Sequence, residues 1–262
     1  MAGRVEISGV SKTFQLPTGP LKVLEGIDLT VSDGEFVCVV GASGCGKSTL
    51  LRIICGLEHA DAGTVSVDGA RVTGPGTDRG LVFQESRLFP WLTVEENVAF
   101  GISEERRRAM GRPEACELVG RYLGLVGLAD FAHALPKQLS GGMQQRVSIA
   151  RSLIEQPSVL LLDEPFGALD ALTRIRMQQE ALRIWKAEKT TMILVTHDID
   201  EAIYLGDRVV VLSSRPGRIR RVVDVGLPRP RDRNSEDFVR LRQEIFGEFF
   251  EERRAKEPEY VI

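Results

Sequence analysis

Nine consecutive residues, Gly41-Ala42-Ser43-Gly44-Cys45-Gly46-Lys47-Ser48-Thr49, constrain this chain more than any other feature of it. They match the phosphate-loop pattern: two glycines separated by four residues, then Lys and a hydroxyl side chain. The apolar run just before them reads as a buried strand and the residues after them as a helix, which is the setting the pattern requires. Glycines let successive backbone N–H groups turn inward around an anion, and the helix that follows adds its positive N-terminal end. Lys47 is then placed to pair with the β- and γ-phosphates of a nucleotide, and the Ser48 hydroxyl to ligate Mg²⁺.

Composition narrows the setting. The 34 basic residues are balanced by 37 acidic ones, for a net charge of -3, which argues against broad non-specific nucleic-acid binding. No apolar run approaches the roughly 18–20 residues of a membrane-spanning helix. Residues 1–8 lack the basic start and apolar stretch of a secretion signal. The expectation is a chain that is soluble by itself and cytoplasmic. Cys38, Cys45, Cys55 and Cys116 show no metal-ligand spacing with the three histidines and read as reduced thiols. Cys45 satisfies a position that asks only for a small neutral residue, and a reactive thiol is the other reading.

Along the chain, strands are expected over 5–7, 27–31, 35–40, 64–67 and 81–84, punctuated by Asp33-Gly34, Asp68-Gly69 and Gly74-Pro75-Gly76. From about residue 93 to 153 the pattern is helical, with a polar segment at 104–110, an amphipathic one at 114–123 that reads as core packing, and a helix over 143–154. Strands return at 159–162, 192–195 and 209–212, with a long helix over 171–189 between the first two. The run at 159–162 is apolar on both faces and suits a parallel strand covered on both sides. The pattern predicts an α/β core interrupted by a mostly helical lobe at about 93–155, forming one domain over 1–226. A short tail, 227–262, carries a helix at 235–253 and is too small to be a second folded domain.

Two further motifs carry chemistry. The strand Val159-Leu160-Leu161-Leu162 ends in Asp163 and Glu164. With a phosphate loop in the same chain, Asp163 is placed to hold Mg²⁺ through its water shell and Glu164 to orient and polarise an attacking water. In Leu139-Ser140-Gly141-Gly142-Met143-Gln144-Gln145-Arg146, exposed amides, a hydroxyl and a helix start make a second anion site. One chain with two phosphate-binding elements and a single phosphate loop poses a geometric question.

The chain resembles an ABC-type nucleotide-binding domain, and the run 139–146 resembles that family's signature motif. The resemblance covers residues 5–219. It implies a P-loop NTPase (RecA-like) core with an N-terminal antiparallel β subdomain and an inserted α-helical subdomain. It further implies that two copies pack head to tail around two ATP·Mg²⁺, with Ser140, Gly141 and Gly142 of one capping the γ-phosphate held by the other. By the same resemblance Gln84 matches the Q-loop glutamine that touches Mg²⁺ and the water, and Asp170 in Phe166-Gly167-Ala168-Leu169-Asp170 matches the D-loop. His197 matches the switch histidine at the γ-phosphate, and Phe14 stands where an aromatic residue stacks on adenine, a place more often held by tyrosine. Taken alone, His197 reads as a capping or surface residue and Asp170 as a helix N-cap.

The runs 84–94, 163–174, 197–202 and 213–219 are similar to those of the subunits that power bacterial importers of nitrate, taurine, alkanesulfonates and bicarbonate. This implies transmembrane permease partners, a periplasmic or lipid-anchored binding protein, and a peripheral place on the cytoplasmic face of the membrane. A lipid-handling or export system is the alternative within the family. A soluble ABC ATPase working on nucleic acid or ribosomes is the main rival outside transport. A P-loop kinase or GTPase has no use for a second phosphate-capping element. Phe89 and Trp91, in the rigid turn Phe89-Pro90-Trp91, are expected to line a groove for a permease helix, against the alternative that both rings lie in the lobe's own core. Residues 218–233 are locally basic, suited to an acidic or membrane surface or simply solvated.

Overall fold

In a computed structural model, residues 3–254 are described. The elements in chain order are β1 (Val5–Leu16), β2 (Gly19–Val31), β3 (Phe36–Val40), α1 (Lys47–Cys55), β4 (Ala62–Val67), β5 (Ala70–Arg71) and β6 (Arg79–Val82). Then come α2 (Val94–Ala99), α3 (Glu104–Leu125), α4 (Gly141–Leu153), β7 (Val159–Asp163), α5 (Ala171–Glu188), β8 (Thr191–Thr196), α6 (Ile199–Leu205), β9 (Arg208–Leu212), β10 (Ile219–Asp224) and α7 (Glu236–Arg254). They divide into two compact units: Pro75–Met192 with the first residues of the chain, and Arg4–Gly74 with everything from Ile193 onward.

In the second unit β1 pairs antiparallel with both β2 and β4, and β4 with β5. β1 and β2 run much further than expected from sequence. The reason is local: the β1–β2 register shifts between Ile7 and Val10 and twice more by Thr13, and each bulge breaks the alternation that marks a strand in sequence. β3 pairs parallel with β9, which pairs antiparallel with β10. All five residues of β3 are buried, as a strand covered on both faces should be. α6 packs on β3 and β9, and α7 packs on α6 with Phe238 and Ile245 fully buried. Residues 255–262 of the expected tail lie outside the described residues.

The basic stretch at 218–233 is largely satisfied within its own unit. Arg218 pairs with Glu25, Arg220 with Glu248, Arg221 with Glu244 and Glu248, and Arg229 with Asp207. Arg231 is buried and donates to the carbonyls of Ile203, Tyr204 and Gly206 at the end of α6. Arg229 and Arg231 are drawn in to brace the end of α6, while Arg218, Arg220 and Arg221 are ion-paired at the exposed surface.

In the first unit β6 and β7 are parallel, and α2, α3 and α5 all pack on α4 or on each other. α2, which has no strong sequence period, starts at a capping box: Thr93 accepts from the Glu96 amide and Glu96 accepts from the Thr93 amide. The two helical segments expected at 104–110 and 114–123 form one run, broken where Gly111 takes φ 73° and ψ 173°. Val119, Tyr122 and Leu123 are its buried residues, as its core-packing reading requires. No helix among the described residues is long and apolar enough to cross a membrane.

Candidate functional site

The phosphate-loop residues lie in the second unit, between β3 and α1. Ala42, Ser43 and Gly44 form an exposed crown, while Gly41, Cys45, Gly46 and Lys47 are buried and Ser48 and Thr49 half-buried. Gly44 takes φ 76° and Gly46 φ 107°, left-handed conformations that a side chain would strain. Gly46 stands at the N-cap of α1 and contributes no side-chain cap. A helix start without a side-chain cap is a place where an anion can bind. Lys47 folds back, its Nζ donating to the carbonyls of Gly41 at 2.9 Å and Ala42 at 3.1 Å. Those carbonyls hold the ammonium at the loop. The Cys45 side chain is buried, so the small-residue reading of that position is the one the structure supports.

Phe14 is half-buried on β1, and Lys12 Nζ lies 5.1 Å from its ring centroid. Lys12 is anchored by Glu58 at 2.8 Å and the His59 carbonyl at 2.8 Å, so the ring is backed by a fixed cation. His197 is exposed at the end of β8. The turn beneath it is fixed by three hydrogen bonds. The Asp198 amide donates to Thr196 Oγ1 at 3.0 Å, Thr196 Oγ1 donates to the buried Glu201 carboxylate at 2.5 Å, and the Glu201 amide donates to Asp198 at 3.1 Å.

In the first unit Asp163 and Glu164 are half-buried at the end of β7, and Glu164 holds φ 45°. A backbone held in that region turns the chain sharply just after the strand. Gln84 Nε2 and Glu164 Oε2 lie 3.6 Å and 3.7 Å from the point where a Cβ on Gly167 would stand. The glutamine and the glutamate, 80 positions apart in sequence, are therefore brought to one place.

The run 139–146 forms the head of α4. Ser140 and Gly141 are exposed, and the Ser140 hydroxyl caps the helix by accepting from the Met143 amide at 3.3 Å. Gly142 is buried against Thr173. Asp170 is the N-cap of α5 and accepts from the Thr173 amide at 3.0 Å; hydrogen bonds from Thr173 hold its carboxyl below the usual range. Its capping role is thus structural in this chain.

Sequence reasoning missed the ties between α4 and the segment around Gln84. Gln145 Nε2 donates to the Phe83 carbonyl at 3.1 Å, Ser86 Oγ to Gln144 Oε1 at 3.2 Å, and Arg151 to the carbonyls of Ser86 and Arg87 at 3.0 and 2.9 Å. The adjacent glutamines of the motif were the available signal. Two long amides on a helix face that also carries Ser148, Arg151 and Ser152 need partners off the helix.

Trp91 is 73% exposed and Phe100 58% exposed, with the half-buried Phe89 ring 5.7 Å from Trp91 and 4.5 Å from Phe100. A groove of about 780 Å³ is lined by Phe100 together with Leu92, Ile102, Val119 and Leu123, and neither Phe89 nor Trp91, expected to form a groove, lines it. The placement of both Phe89 and Trp91 in the lobe's core is overturned for Trp91. Among the described residues no group of three or more His, Cys, Asp or Glu is set to hold a metal ion. A cation here would take one or two protein groups and complete its shell from phosphate and water, the habit of Mg²⁺.

A glycine loop with left-handed Gly44 and Gly46, feeding a helix start without a side-chain cap and with a lysine held at its base, defines a P-loop nucleotide-binding protein. The comparisons narrow that class. A family model described as "ABC transporter" matches residues 24–167. An aliphatic sulfonates import ATP-binding protein SsuB of Bacillus cereus is 50% identical over 245 residues, covering 94% of this chain and 95% of that protein. The uncharacterized ABC transporter ATP-binding protein MJ0412 of Methanocaldococcus jannaschii is 49% identical over 247 residues, covering 94% and 91%. Among solved structures, a dimeric post-hydrolysis state of the ATP-binding cassette MJ0796 bound to ADP and Pi matches with a TM-score of 0.74 at 33% identity, covering 86% of this chain and 100% of that one. The chain belongs to the ABC transporter family. It has the fold of an ABC nucleotide-binding domain, binds ATP, and is an ATPase.

Proposed function

We propose that this chain is the ATP-hydrolysing subunit of an importer, driving a separate membrane permease for a small anion, with an aliphatic sulfonate as the first candidate substrate. The sulfonate choice rests on the relative named above and on the runs similar to anion-importer subunits. Nitrate, taurine and bicarbonate are the other candidates. The transported molecule need not touch this subunit, so nothing in the chain has to encode it.

The observation that carries the reading is the exposed head of α4. Ser140 and Gly141 are exposed there at the start of α4, in a different compact unit from the phosphate loop. Such an element gains a use when a second copy supplies the nucleotide, and MJ0796 is dimeric in its ADP-and-Pi-bound structure. In the proposed pair, Phe14, residues 41–49 and His197 of one copy bind ATP, and Ser140, Gly141, Gly142 and Asp170 of the other close over it.

Mg²⁺ would be held by Ser48 and Gln84, with Asp163 reaching it through its water shell, and would supply charge neutralisation on the phosphates. Lys47 pairs with the β- and γ-phosphates. Glu164 orients and polarises the attacking water beside the γ-phosphate, and Gln84 touches that water. His197 donates to the γ-phosphate. Loss of the γ-phosphate removes the ligand that favours the closed pair, and the pair reopens. The permease responds to that alternation from the membrane, with the chain on its cytoplasmic face and a substrate-binding protein outside. One domain over 1–226 with a helical lobe at 93–155 and a tail at 227–262 is the organisation this reading uses.

The test is affinity purification of the Glu164→Gln chain from detergent-solubilised cells with ATP and Mg²⁺. Recovery of a hydrophobic permease, whose complex shows ATPase stimulated by an alkanesulfonate and its binding protein, is the expected result. Recovery of nucleic acid or soluble partners alone would overturn the importer reading.

A further inference from the structure

The turn between β9 and β10, Ser213-Ser214-Arg215-Pro216-Gly217-Arg218, has no part in the function proposed above. In the structure it braces the phosphate loop. The exposed Arg215 guanidinium donates twice to the Gly44 carbonyl, from Nε at 3.0 Å and Nη2 at 2.8 Å. Gly217 approaches so closely that a Cβ there would stand 2.2 Å from the Cys45 carbonyl. That is a backbone atom which cannot step aside, so the turn and the loop fit only with glycine at 217.

The turn is itself rigid. Ser213 Oγ donates to the Pro216 carbonyl at 2.9 Å and accepts from the Arg218 amide at 2.9 Å. The Gly217 amide donates to the Val23 carbonyl at 2.8 Å, and the Glu25 amide donates to the Gly217 carbonyl at 3.0 Å. Arg218 pairs with Glu25 at 2.7 Å. Arg215 is therefore delivered to Gly44 from a frame fixed on β2.

Gly44 is the point of the loop most in need of such support, because glycine at φ 76° has more freedom to leave its conformation than any other residue. The carbonyl of one peptide unit and the N–H of the next residue point opposite ways in a single plane. Holding the Gly44 carbonyl against Arg215 fixes the plane that carries the Cys45 amide. That amide closes the crown by donating to the Ala42 carbonyl at 3.3 Å. On the other side Lys47 holds the carbonyls of Gly41 and Ala42. A loop pinned in this way meets its anion with less conformational entropy left to lose.

We propose that Arg215 is a positioning residue of the phosphate loop: by clamping the Gly44 carbonyl from the β9–β10 turn, it preorganises residues 41–47 for the nucleotide's phosphates. The inference rests on the reading of residues 41–49 as the nucleotide's phosphate site.

The test measures ATP dissociation constants, KM and kcat on the purified full chain with Mg²⁺. Arg215→Ala should raise Kd and KM by about three- to tenfold, with kcat within about twofold, since the clamp is solvent-exposed and acts before chemistry. Arg215→Lys, which keeps the charge and one donor, should recover part of the loss. Arg218→Ala removes the exposed ion pair to Glu25 but keeps the turn's main-chain bonds to Val23 and Glu25 and does not touch the loop, so it should leave Kd within about twofold of the parent. An unchanged Kd in Arg215→Ala, no recovery in the Lys variant, or an equal rise in Arg218→Ala would each overturn the proposal. Lys47→Ala, run alongside, separates the two levels. Normal ATP binding in that variant would remove the phosphate-site reading itself, whatever Arg215 does.

Discussion

Gln145 donates its side-chain amide to the main-chain carbonyl of Phe83 across 3.1 Å, joining the head of α4 to the residue beside Gln84. Gln145 is 3% exposed, so nothing from solvent can replace it readily. Together with the Ser86–Gln144 and Arg151–Ser86 contacts, this bond makes the exposed anion-binding turn and the segment of Gln84 move as one body. Gln145→Leu keeps the volume and leaves the Phe83 carbonyl unsatisfied, which should destabilise the fold by about 1–3 kcal/mol. It should also lower kcat more than it raises KM for ATP, because Gln84 loses its fixed place. Thermal melts and steady-state ATPase read both effects, and a melt and a kcat equal to the parent's would show the tie to be idle.

Lys47 and Glu164 should separate cleanly when each is removed. Lys47 sits inside the loop on the Gly41 and Ala42 carbonyls, where its charge faces the phosphate site. Lys47→Ala is expected to lose ATP affinity by at least about tenfold, since a charge-assisted contact to phosphate is worth roughly 1.5–3 kcal/mol. Glu164→Gln should bind ATP normally, turn over at under about 1% of the parent rate, and form a dimer with ATP and Mg²⁺ that the parent shows only transiently. Light scattering after size exclusion reports the dimer. Wild-type turnover by Glu164→Gln would mean that another group activates the water.

Trp91 contributes little to its own unit, being 73% exposed, yet its ring lies 5.7 Å from that of Phe89. Exposed aromatic side chains are strong anchors for a partner. Trp91→Ala should leave the melting temperature and the basal ATPase within error of the parent, since it removes few buried contacts. Co-purification with the permease should fall by about tenfold or more, as expected for the loss of a hot-spot residue. Undiminished recovery of the permease would assign the ring to another role.

The site was more legible in sequence than the frame around it. Residues 41–49 and 159–164 announce themselves because phosphate chemistry dictates residue types at fixed spacing, and their strand and helix flanks follow from simple periodicity. β1 and β2 were mostly lost because bulges at residues 7–13 scramble the alternation on which strand reading depends. α2 is six residues long, too short to show a helical period, and only its Thr93–Glu96 capping box marks it. The meeting of Gln84 with Glu164 beside Gly167, and of Arg215 with Gly44, spans 80 and 171 positions, and no local pattern encodes either. The basic run at 218–233 misled for the same reason, since its carboxylate and carbonyl partners come from distant elements.

Arg231 offers the sharpest test of what that run does. Its guanidinium is buried and donates to the carbonyls of Ile203, Tyr204 and Gly206, the end of the helix that begins just after His197. Helix C-terminal carbonyls carry partial negative charge, so the arginine both satisfies them and complements the dipole. Arg231→Ala strands those acceptors and opens space, and should destabilise the chain by about 2–4 kcal/mol, or on the order of 5–15 °C in Tm. Burial pushes the Arg231 pKa down to about 10, below the usual guanidinium range. Above about 10 the unfolded chain therefore binds that proton more tightly than the folded one, so stability from this group rises with pH only there. Below that the guanidinium is charged in both states, and the loss in Arg231→Ala should be the same at about pH 6 and about pH 9. Melts of parent and variant at the two pH values check the size and the flatness together. A loss that grows or vanishes between them would mean that a different titrating group, not the capped helix end, sets the effect.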